Sequence, residues 1–449
     1  MAVKKNKETA IENFIEKNMK KYGIPKIALK ALQDFGIFDA RVLSVLTEGE
    51  IAAIPNVSEK TAVALVRAAD DNFRGPLFQK AADQSERLLK KRKYFTTGSK
   101  NLDDLLGGGM PTSTIVEING EYRTGKTQTC LTCAVTAQLP EEQGGLGRPV
   151  IYIDTENSFQ AEHIQEIGKR YDIDPDQLLS NFFVVQAEQL RYLNQAIDRL
   201  PGYVQALDPG LIIIDSLMAP FRTEFHELNL LPVRQKKIGR LIGLLKRIAI
   251  AFNTSIIFTN QVMANIGPSG QFIPVIATGG HVVAHASDIR IFMKKLKGNM
   301  RRAKIDDCAW LPNETADFYI TSMGIFDEEV ISDKESKPVS KKVKDEVELE
   351  VEEEAIEEPV SSPMMAGLKE IAELKEGEAK EAKVEKTKSK KTTEKIEKPA
   401  EKEEEKIIEE KTLMDIEEDF HTIEEVPTKT PKEEKSKSKS SGKKSNVPA

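Results

Sequence analysis

The sequence predicts an α/β protein built on a mostly parallel sheet, with a small helical region before it and a disordered tail after it. Short apolar runs recur between residues 115 and 293, and helix-compatible stretches separate most of them, which is typical of strands joined by crossover helices. The runs are continuously apolar, as in parallel strands buried on both faces. Residues 120–127 fit G-x-x-x-x-G-K-[ST], a phosphate-binding loop, and stand between one such run and a helix-compatible stretch.

Length and composition restrict the possible classes of function. The chain has 449 residues, enough for two or three domains, and a formal net charge of −7 with 31% charged residues. Overall acidity argues against non-specific coating of nucleic acid but allows a local basic surface. The apolar runs are too short to span a bilayer, and no apolar segment follows the basic start, so neither a membrane partner nor secretion is expected. Three cysteines fit a reducing, intracellular setting.

The first 73 residues divide into two parts. Residues 1–20 are predicted to be a polar leader, and residues 21–73 a small all-α domain whose weak repeat begins at Ile24-Pro25 and again at Ile54-Pro55. The hairpin between its helices resembles the helix-hairpin-helix module, in which backbone N–H groups meet a DNA phosphate. Asn56 replaces the usual hairpin glycine and tolerates a left-handed backbone better than most residues. A domain used for packing or protein contact is the alternative, and both stay open.

A linker and the α/β core follow. Residues 74–95 are predicted to be the linker, and Phe78 and Ala81 lie within it in an F-x-x-A sequence. Residues 96–327 are predicted to be the core. The strand candidates of the core are residues 115–118, 150–153, 182–185, 211–214, 255–259 and 289–293.

The last 122 positions, residues 328–449, differ sharply in composition. Lys, Glu and Ser dominate them, and Phe420 is their only aromatic residue. Such a segment cannot bury enough apolar surface to offset chain entropy, so we expect a disordered tail. Phe420 begins an F-x-x-I sequence similar to the F-x-x-A of the linker, and a coincidence is the simpler interpretation because a pocket shaped for Ala resists Ile.

The phosphate-binding loop predicts a nucleotide site. Glycines let backbone N–H groups converge on phosphate oxygens, and the helix N-terminus adds its dipole. Lys126 would reach the β- and γ-phosphates, and the Thr127 hydroxyl would bind Mg²⁺, so the predicted cofactors are ATP and Mg²⁺. The expected nucleotide-binding residues are Gly120, Glu121, Tyr122, Arg123, Thr124, Gly125, Lys126, Thr127 and Gln128.

Polar side chains end three further strand candidates, at the sheet edge where ligands bind in open α/β folds. Asp215 follows one buried run and would hold Mg²⁺, through water. Another run ends in the acids Asp154 and Glu156, and a carboxylate there could polarise the water that attacks the γ-phosphate. A third ends in the amides Asn260 and Gln261, and an amide there could sense the γ-phosphate without adding charge. The sequence therefore predicts one convergent site.

Cys130 and Cys133 form a C-x-x-C pair on the predicted helix after the loop. A metal or redox site needs a second ligand pair or a thioredoxin-like context, and Cys308 is the only other thiol. Core packing is the expected role of the pair.

Taken together, these motifs resemble the RadA-type members of the RecA recombinase superfamily. The similarity covers roughly residues 20–327 in order and with few gaps, which is more specific than any single motif. It is carried by the phosphate-binding loop and by residues 97–109, 138–140, 153–159, 215–217, 221–224, 260–262 and 279–285.

The resemblance implies a RecA-like core and an ATP-dependent filament on single-stranded DNA that pairs it with homologous double-stranded DNA. It implies that Glu156 and Lys126 are catalytic together with Gln261, which would link ATP to the second DNA loop. Phe78 and Ala81 match the polymerisation motif that plugs pockets on the next protomer, in filaments or rings. Recombination mediators are further expected partners. The expected location is the cytoplasm of a prokaryote, associated with the nucleoid, or the nucleus of a eukaryote.

Several positions depart from the family pattern. Arg123 replaces a glycine of the loop, and His163 stands where an arginine commonly stacks on adenine. Asp307 matches the cap over the neighbour's ATP, but the proline of that D-x-P motif is missing. The first DNA loop has residues 227–229 in place of a G-R-G-like element, and the second, residues 262–278, contains no Lys or Arg.

Neutralisation of backbone charge dominates affinity for single strands, so the loops decide between two hypotheses. The first is a DNA-dependent ATPase and recombinase. The second is a paralogue that binds ATP and serves another recombinase as an adaptor, with little strand exchange of its own. Backbone amides of the loops and the basic run at residues 294–297 remain as candidates for contact with DNA. The other candidate DNA-binding residues are Asn56, Arg222, Arg234, Phe272, Gly279, Gly280 and His281. His281 and His285 are spaced for a shared metal, but no third ligand is evident nearby.

Overall fold

The computed structural model of the chain describes residues 2–75, 77–225, 230–264 and 275–329. Within these ranges the side chains of residues 2–9, 264, 275 and 276 are outside the description. None of the described helices combines the length and the apolar character needed to cross a membrane.

The N-terminal region is a cluster of helices: α1 (Ala2–Tyr22), α2 (Ile27–Asp34), a 3₁₀ helix (Ala40–Ser44), α3 (Glu48–Ala52) and α4 (Glu59–Phe73). Residues 1–20, expected as a polar leader, instead contribute a packed helix. Ile11, Phe14 and Ile15 are buried. Their spacing of three and four residues places them on one helix face, a signal that the surrounding lysines and glutamates obscured.

The hairpin between α3 and α4 has the backbone geometry that the sequence suggested. Asn56 adopts a left-handed conformation with φ of +65°. Ser58 then caps α4, because its side chain accepts a hydrogen bond from Thr61 N at 3.2 Å. These observations describe a tight helical hairpin; its contact with DNA remains a prediction.

The helical region packs directly on the following core. Gln205 Nε2 donates to Gly36 O at 2.6 Å, and Arg247 Nε donates to Val45 O. One apolar cluster contains buried residues of both parts, so packing continues across the boundary expected at residue 73.

The connection to the core contains α5 (Ala81–Lys91), the short pair β1 (Tyr94–Phe95) and β2 (Met110–Pro111), and α6 (Lys100–Leu105). The helices of the core are α7 (Lys126–Thr136), α8 (Ala161–Lys169), α9 (Pro175–Ser180), α10 (Leu190–Leu207), α11 (Ala219–Glu224), α12 (Leu231–Phe252) and α13 (Gly280–Ala286), with a 3₁₀ helix at Glu141–Gln143.

In the part of the chain that the structure describes, the core is organised around a ten-stranded, mostly parallel sheet. Its strands are β3 (Ile115–Gly120), β4 (Val150–Asp154), β5 (Phe182–Gln186), β6 (Leu211–Asp215), β7 (Ser255–Ala264), β8 (Val275–Ala277), β9 (Ile289–Lys295), β10 (Met300–Cys308), β11 (Thr315–Thr321) and β12 (Gly324–Phe326). The order is β12-β11-β10-β9-β3-β7-β6-β4-β5, and β8 pairs with the end of β7. The predicted fold class, an α/β protein built on a mostly parallel sheet, is confirmed.

All six predicted strands are present, and they form the parallel part of the sheet. The antiparallel strands β10, β11 and β12 were not predicted. Along β10, buried residues such as Ala303 and Ile305 alternate with exposed charged ones such as Arg302 and Lys304. This period-two pattern belongs to a strand with one solvated face and contains no continuous apolar run.

Side chains of the parallel strands pack on both faces of the sheet. Ile212 and Ile214 belong to one apolar cluster, and Leu211 and Ile213 to the other. Cys130 and Cys133 of α7 are fully buried in the second cluster, as the packing interpretation predicted. Burial on both faces leaves the carboxyl ends of the strands as the place where polar side chains collect.

Candidate nucleotide-binding site

The phosphate-binding loop connects β3 to α7, and other groups closely approach both of its glycines. A Cβ on Gly120 would come within 2.4 Å of Met293 O, and one on Gly125 within 2.1 Å of Ile320 Cδ1. Gly125 also has φ of +98°, in the left-handed region that glycine adopts without strain. The loop is therefore a backbone cradle in front of a helix N-terminus, which fits a phosphate group.

Lys126 is folded over this cradle. Its Nζ donates to Gly120 O at 3.1 Å and to Glu121 O at 2.8 Å. Burial lowers the pKa of the ammonium, while the negative charges of Asp215 and Glu156 act in the opposite direction. The side chain thus supplies a positive charge at the loop, where a phosphate would lie.

The other residues of the loop differ from one another in burial and in backbone conformation. Thr124 is buried and donates to Glu121 O at 2.9 Å, which holds the turn closed. Arg123 has φ of +62°, a left-handed conformation that is uncommon outside glycine, at the position where the family usually has glycine. Its guanidinium lies 5.1 Å from the ring centre of Tyr122, and both side chains are exposed.

Asp215 lies at the end of β6 in a buried hydrogen-bond network. Its carboxylate accepts hydrogen bonds from Thr259, from Tyr152 at 2.9 Å and from Thr127. Burial raises the pKa of the Asp215 carboxyl, and these hydrogen bonds oppose the rise only partly. A buried carboxylate beside a threonine hydroxyl is the set of hard oxygen donors that Mg²⁺ prefers, so the residues fit the predicted metal.

Glu156 is exposed at the opening of the site, and the buried Asp154 sets the turn that presents it. Asp154 Oδ1 accepts from Glu156 N at 3.0 Å, and Oδ2 accepts from Ser158 N and Phe159 N at 2.8 and 2.9 Å. Glu156 Oε1 in turn accepts from Ser216 Oγ at 2.8 Å. Glu156 is therefore held through both its backbone N–H and its side-chain carboxylate.

Strand register brings these groups together. Asp154 pairs with Asp215 across β4 and β6, and Gly120 pairs with Gln261 across β3 and β7. Gln261 Nε2 lies 3.5 Å from Glu156 Oε1. The predicted convergence of strand-end residues with the phosphate-binding loop is present, and their chemical roles remain predictions.

His163 lies beside the helix that follows the loop. Its Nε2 is 2.7 Å from Gln128 Oε1, and burial lowers the pKa of the imidazole, with the charge of Glu166 opposing. A neutral ring next to Gln128 is compatible with the predicted stacking on adenine.

Asp307 is exposed on β10, where a bulge between Ile305 and Asp307 sets it opposite Arg290. It lines a cleft of about 970 Å³ with His281 and His285, and Glu121 of the phosphate-binding loop lines the same cleft. Its predicted role toward a neighbour's ATP requires a second subunit and stays a prediction.

The candidate DNA-binding residues occupy different environments. Arg222 is half-buried on α11; burial lowers the pKa of its guanidinium, and the charge of Glu156 opposes this. Arg234 is half-buried on α12, and Gln235 next to it donates to Gly279 O at 3.0 Å. Phe272 and residues 227–229 lie outside the described residues.

Gly279 and Gly280 both have positive φ, +99° and +65°, and form the turn into α13. His281 and His285 are exposed and stacked, with ring centres 5.7 Å apart. Within the described ranges no three His, Cys, Asp or Glu side chains are grouped to hold a metal ion.

The polymerisation residues are available for contact. Phe78 is 91% exposed, and Ala81 is exposed at the first position of α5. Leu77 is equally exposed. These exposed side chains are accessible to another protomer, and their role in assembly stays a prediction.

Sequence reasoning did not assign a role to four residues of the site. Asp154 positions Glu156, Ser216 binds its carboxylate, and Tyr152 and Thr259 bind Asp215. Asp154 and Ser216 were detectable as polar residues at strand ends. Tyr152 and Thr259 lie within apolar runs, and only the strand order reveals that they face Asp215.

Comparisons with known proteins agree with this geometry. The Rad51 family model matches residues 90–328. The chain is 38% identical over 311 residues to the DNA repair and recombination protein RadA of Ignicoccus hospitalis, an alignment that covers 68% of this chain and 93% of that protein. It is 35% identical over 308 residues to the protein of the same name from Aeropyrum pernix, covering 68% and 95%. The chain therefore belongs to the Rad51 family of RecA-superfamily recombinases.

Proposed function

We propose that this protein is an ATP-dependent recombinase of DNA repair, which assembles on single-stranded DNA and pairs it with homologous duplex. The observation that carries the proposal is the convergence of Lys126, Thr127, Asp215, Glu156 and Gln261 at one sheet edge. This set contains a lysine that would bind phosphate, two candidate metal ligands, a candidate general base and an amide that could contact the γ-phosphate. Nucleoside triphosphatases use groups of these kinds. Family membership supports the same activity.

The chemical step is ATP hydrolysis. The backbone cradle and Lys126 hold the phosphates, and Thr127 and Asp215 are the residues that would hold Mg²⁺. When bound, Mg²⁺ neutralises negative charge on the phosphate oxygens. Glu156 takes a proton from the water that attacks the γ-phosphorus, and ADP and inorganic phosphate are the products. Ser216 orients the carboxylate for this transfer, since it donates to Oε1 at 2.8 Å.

Gln261 connects hydrolysis to DNA in this proposal. Its amide lies next to the reacting side of Glu156, and the same strand β7 continues directly into residues 262–278, the candidate second DNA loop. A displacement of Gln261 on loss of the γ-phosphate would therefore be transmitted along β7.

Self-association is the second part of the proposal. Phe78 and Ala81 would insert into the neighbouring protomer, which explains why a large aromatic ring is left exposed in a single chain. Asp307 would then approach the nucleotide of the adjacent subunit. In this proposal the nucleotide site is complete only when protomers assemble next to one another, as in a filament, because Asp307 comes from the neighbour.

A second candidate function rests on one specific observation. Residues 262–278 contain no Lys or Arg, which weakens the electrostatic contribution that dominates affinity for single strands. An adaptor that binds ATP and supports another recombinase would not need that charge. In this alternative, the nucleotide site and the exposed Phe78 keep their roles, and strand exchange is lost.

Electron microscopy and a strand-exchange assay separate the two. The full chain is incubated with single-stranded DNA and ATP, then with homologous duplex. Filaments and joint molecules are expected for the recombinase. Nucleotide binding without filaments or joint molecules contradicts it and favours the adaptor.

A further inference from the structure

Three buried polar side chains, Glu117, Asn260 and Thr278, form a connected network under the carboxyl end of β7; we call this set the loop clamp. Asn260 Nδ2 donates to Glu117 Oε1 at 2.8 Å and to Thr278 O at 2.7 Å. Thr278 Oγ1 donates back to Asn260 Oδ1. Glu117 and Asn260 are fully buried and Thr278 is 7% exposed, so the hydrogen bonds are shielded from water.

Glu117 stands in the central strand β3, an unusual place for a charge. Its second oxygen accepts a hydrogen bond from Arg290 Nε of β9 at 2.7 Å. Burial alone would lower the pKa of Arg290, but the charge and hydrogen bond of Glu117 outweigh it and the pKa is raised. Replacing a buried ion pair by apolar residues of the same volume is often neutral or stabilising, so a gain in stability is weak grounds for a charge at this position. A role in positioning the connected strands is the alternative hypothesis.

The clamp fixes the two ends of one segment. Thr278 N donates to Gln261 O at 3.0 Å, and β7 pairs with β8 from Val262 opposite Ala277 onward. The base of residues 262–278 is therefore tied to the strand that carries Gln261. Asn260 and Gln261 are consecutive, so their side chains leave opposite faces of β7: Asn260 enters the clamp, and Gln261 faces Glu156 at 3.5 Å.

We propose that the loop clamp is a positioning device that holds both ends of the second DNA loop in fixed register with Gln261, so that nucleotide state and loop position change together. The inference rests on the proposed function, because it takes residues 262–278 as a DNA-binding loop. Glu117 anchors the clamp to β3, which ends in the phosphate-binding loop. The clamp residues are positioning residues in this proposal, because they act through Gln261 and through the two ends of the loop.

The test uses Thr278→Val, which keeps the shape of the side chain and removes its hydroxyl. Thr278→Ser restores the hydroxyl and is the conservative rescue. Thr254→Val is the matched control, because Thr254 is buried like Thr278, precedes the other end of β7 and donates to Pro209 O at 2.7 Å. Thr278→Ala removes the same hydroxyl and replaces Thr278→Val if that variant does not fold.

Hydrogen exchange is measured on the full chain with ADP and with a non-hydrolysable ATP analogue. In the wild type, residues 260–264 and 275–280 are expected to change protection together between the two nucleotides. In Thr278→Val the protection of residues 260–264 is still expected to change with the nucleotide, whereas that of residues 275–280 is not. Thr278→Ser and Thr254→Val are expected to behave as wild type. A joint response in Thr278→Val, or a wild type in which the two segments respond independently or not at all, overturns the proposal.

ATP hydrolysis with and without single-stranded DNA gives the second readout. Thr278→Val is expected to lose DNA stimulation, the ratio of the hydrolysis rates with and without single-stranded DNA, by about tenfold. Unaltered stimulation in Thr278→Val contradicts the clamp. If the wild type is not stimulated by DNA, the proposed function fails, and the hydrogen-exchange result then judges the clamp separately.

Discussion

The Ser216 hydroxyl donates to Glu156 Oε1 at 2.8 Å, and the same oxygen lies 3.5 Å from Gln261 Nε2. Glu156 therefore has one neighbour that fixes its orientation and another that belongs to the strand of the candidate DNA loop. A carboxylate held in this way is suited to accept a proton from an attacking water.

Glu156→Gln should keep nucleotide affinity and lose hydrolysis, because an amide cannot accept the proton. We expect the rate to fall by about 10² to 10⁴, the usual contribution of a general base. Phosphate release and nucleotide titration measure the two quantities. Glu162→Gln, an exposed residue of α8, is the control. A normal rate of ATP hydrolysis in Glu156→Gln would show that another residue is the general base.

Ser216→Ala should give a smaller loss, roughly tenfold, since it removes one hydrogen bond to a charged group and leaves the base in place. The deficit should be in kcat with little change in KM, because orientation matters in the transition state. An equal loss in nucleotide affinity would indicate that Ser216 acts on binding instead.

Lys126→Ala should abolish tight ATP binding, because the cation folded over the phosphate-binding loop is removed. Isothermal titration with ATP measures this, and Lys169→Ala, an exposed lysine paired with Glu166, is the control. Retained tight binding by Lys126→Ala would contradict the location of the site.

Phe78→Glu should give a folded protein that no longer polymerises, because a charge cannot enter an apolar pocket without a large desolvation cost. Leu77→Glu is a matched control, since Leu77 has the same 91% exposure but lies outside the F-x-x-A motif. Sedimentation with ATP and DNA compares them. Assembly by both variants would reject the motif, and loss in both would indicate a general apolar contact.

Asp215→Asn should stabilise the protein in the absence of nucleotide while abolishing hydrolysis. Burial raises the Asp215 pKa, so between the ordinary carboxyl pKa of about 3.9 and the raised value the folded state binds more protons than the unfolded chain. Stability therefore falls as pH rises through that window, and the ionised carboxylate remains a cost at neutral pH. An increase in Tm of about 2–4 °C, equivalent to about 1 kcal/mol, is expected at pH 7.

The advantage of Asp215→Asn should disappear below about pH 4, where the wild-type carboxyl is protonated in both states. Thermal unfolding at several pH values without magnesium or nucleotide measures this. A variant less stable than wild type at neutral pH would show that the hydrogen bonds from Thr259, Tyr152 and Thr127 outweigh the desolvation of the charge.

The parallel half of the fold was predictable because its strands are continuously apolar and end in polar residues. Glu156, Asp215 and Gln261 could be found in this way, since parallel strands present their carboxyl ends at one edge. Other features depend on contacts across the chain. Glu117 meets Asn260 across 143 residues and Arg290 across 173, and no local pattern signals either pairing. The helix α1 was not predicted, because the helical spacing of three apolar residues is a weak signal among many charged ones.

The most direct test of the whole account is ATP hydrolysis by the wild-type chain with and without single-stranded DNA. The account predicts that single-stranded DNA raises the hydrolysis rate, and that Phe78→Glu reduces this stimulation because assembly is lost. Equal rates with and without DNA, at concentrations where ATP binding is saturated, would contradict the coupling between the nucleotide site and the DNA loop.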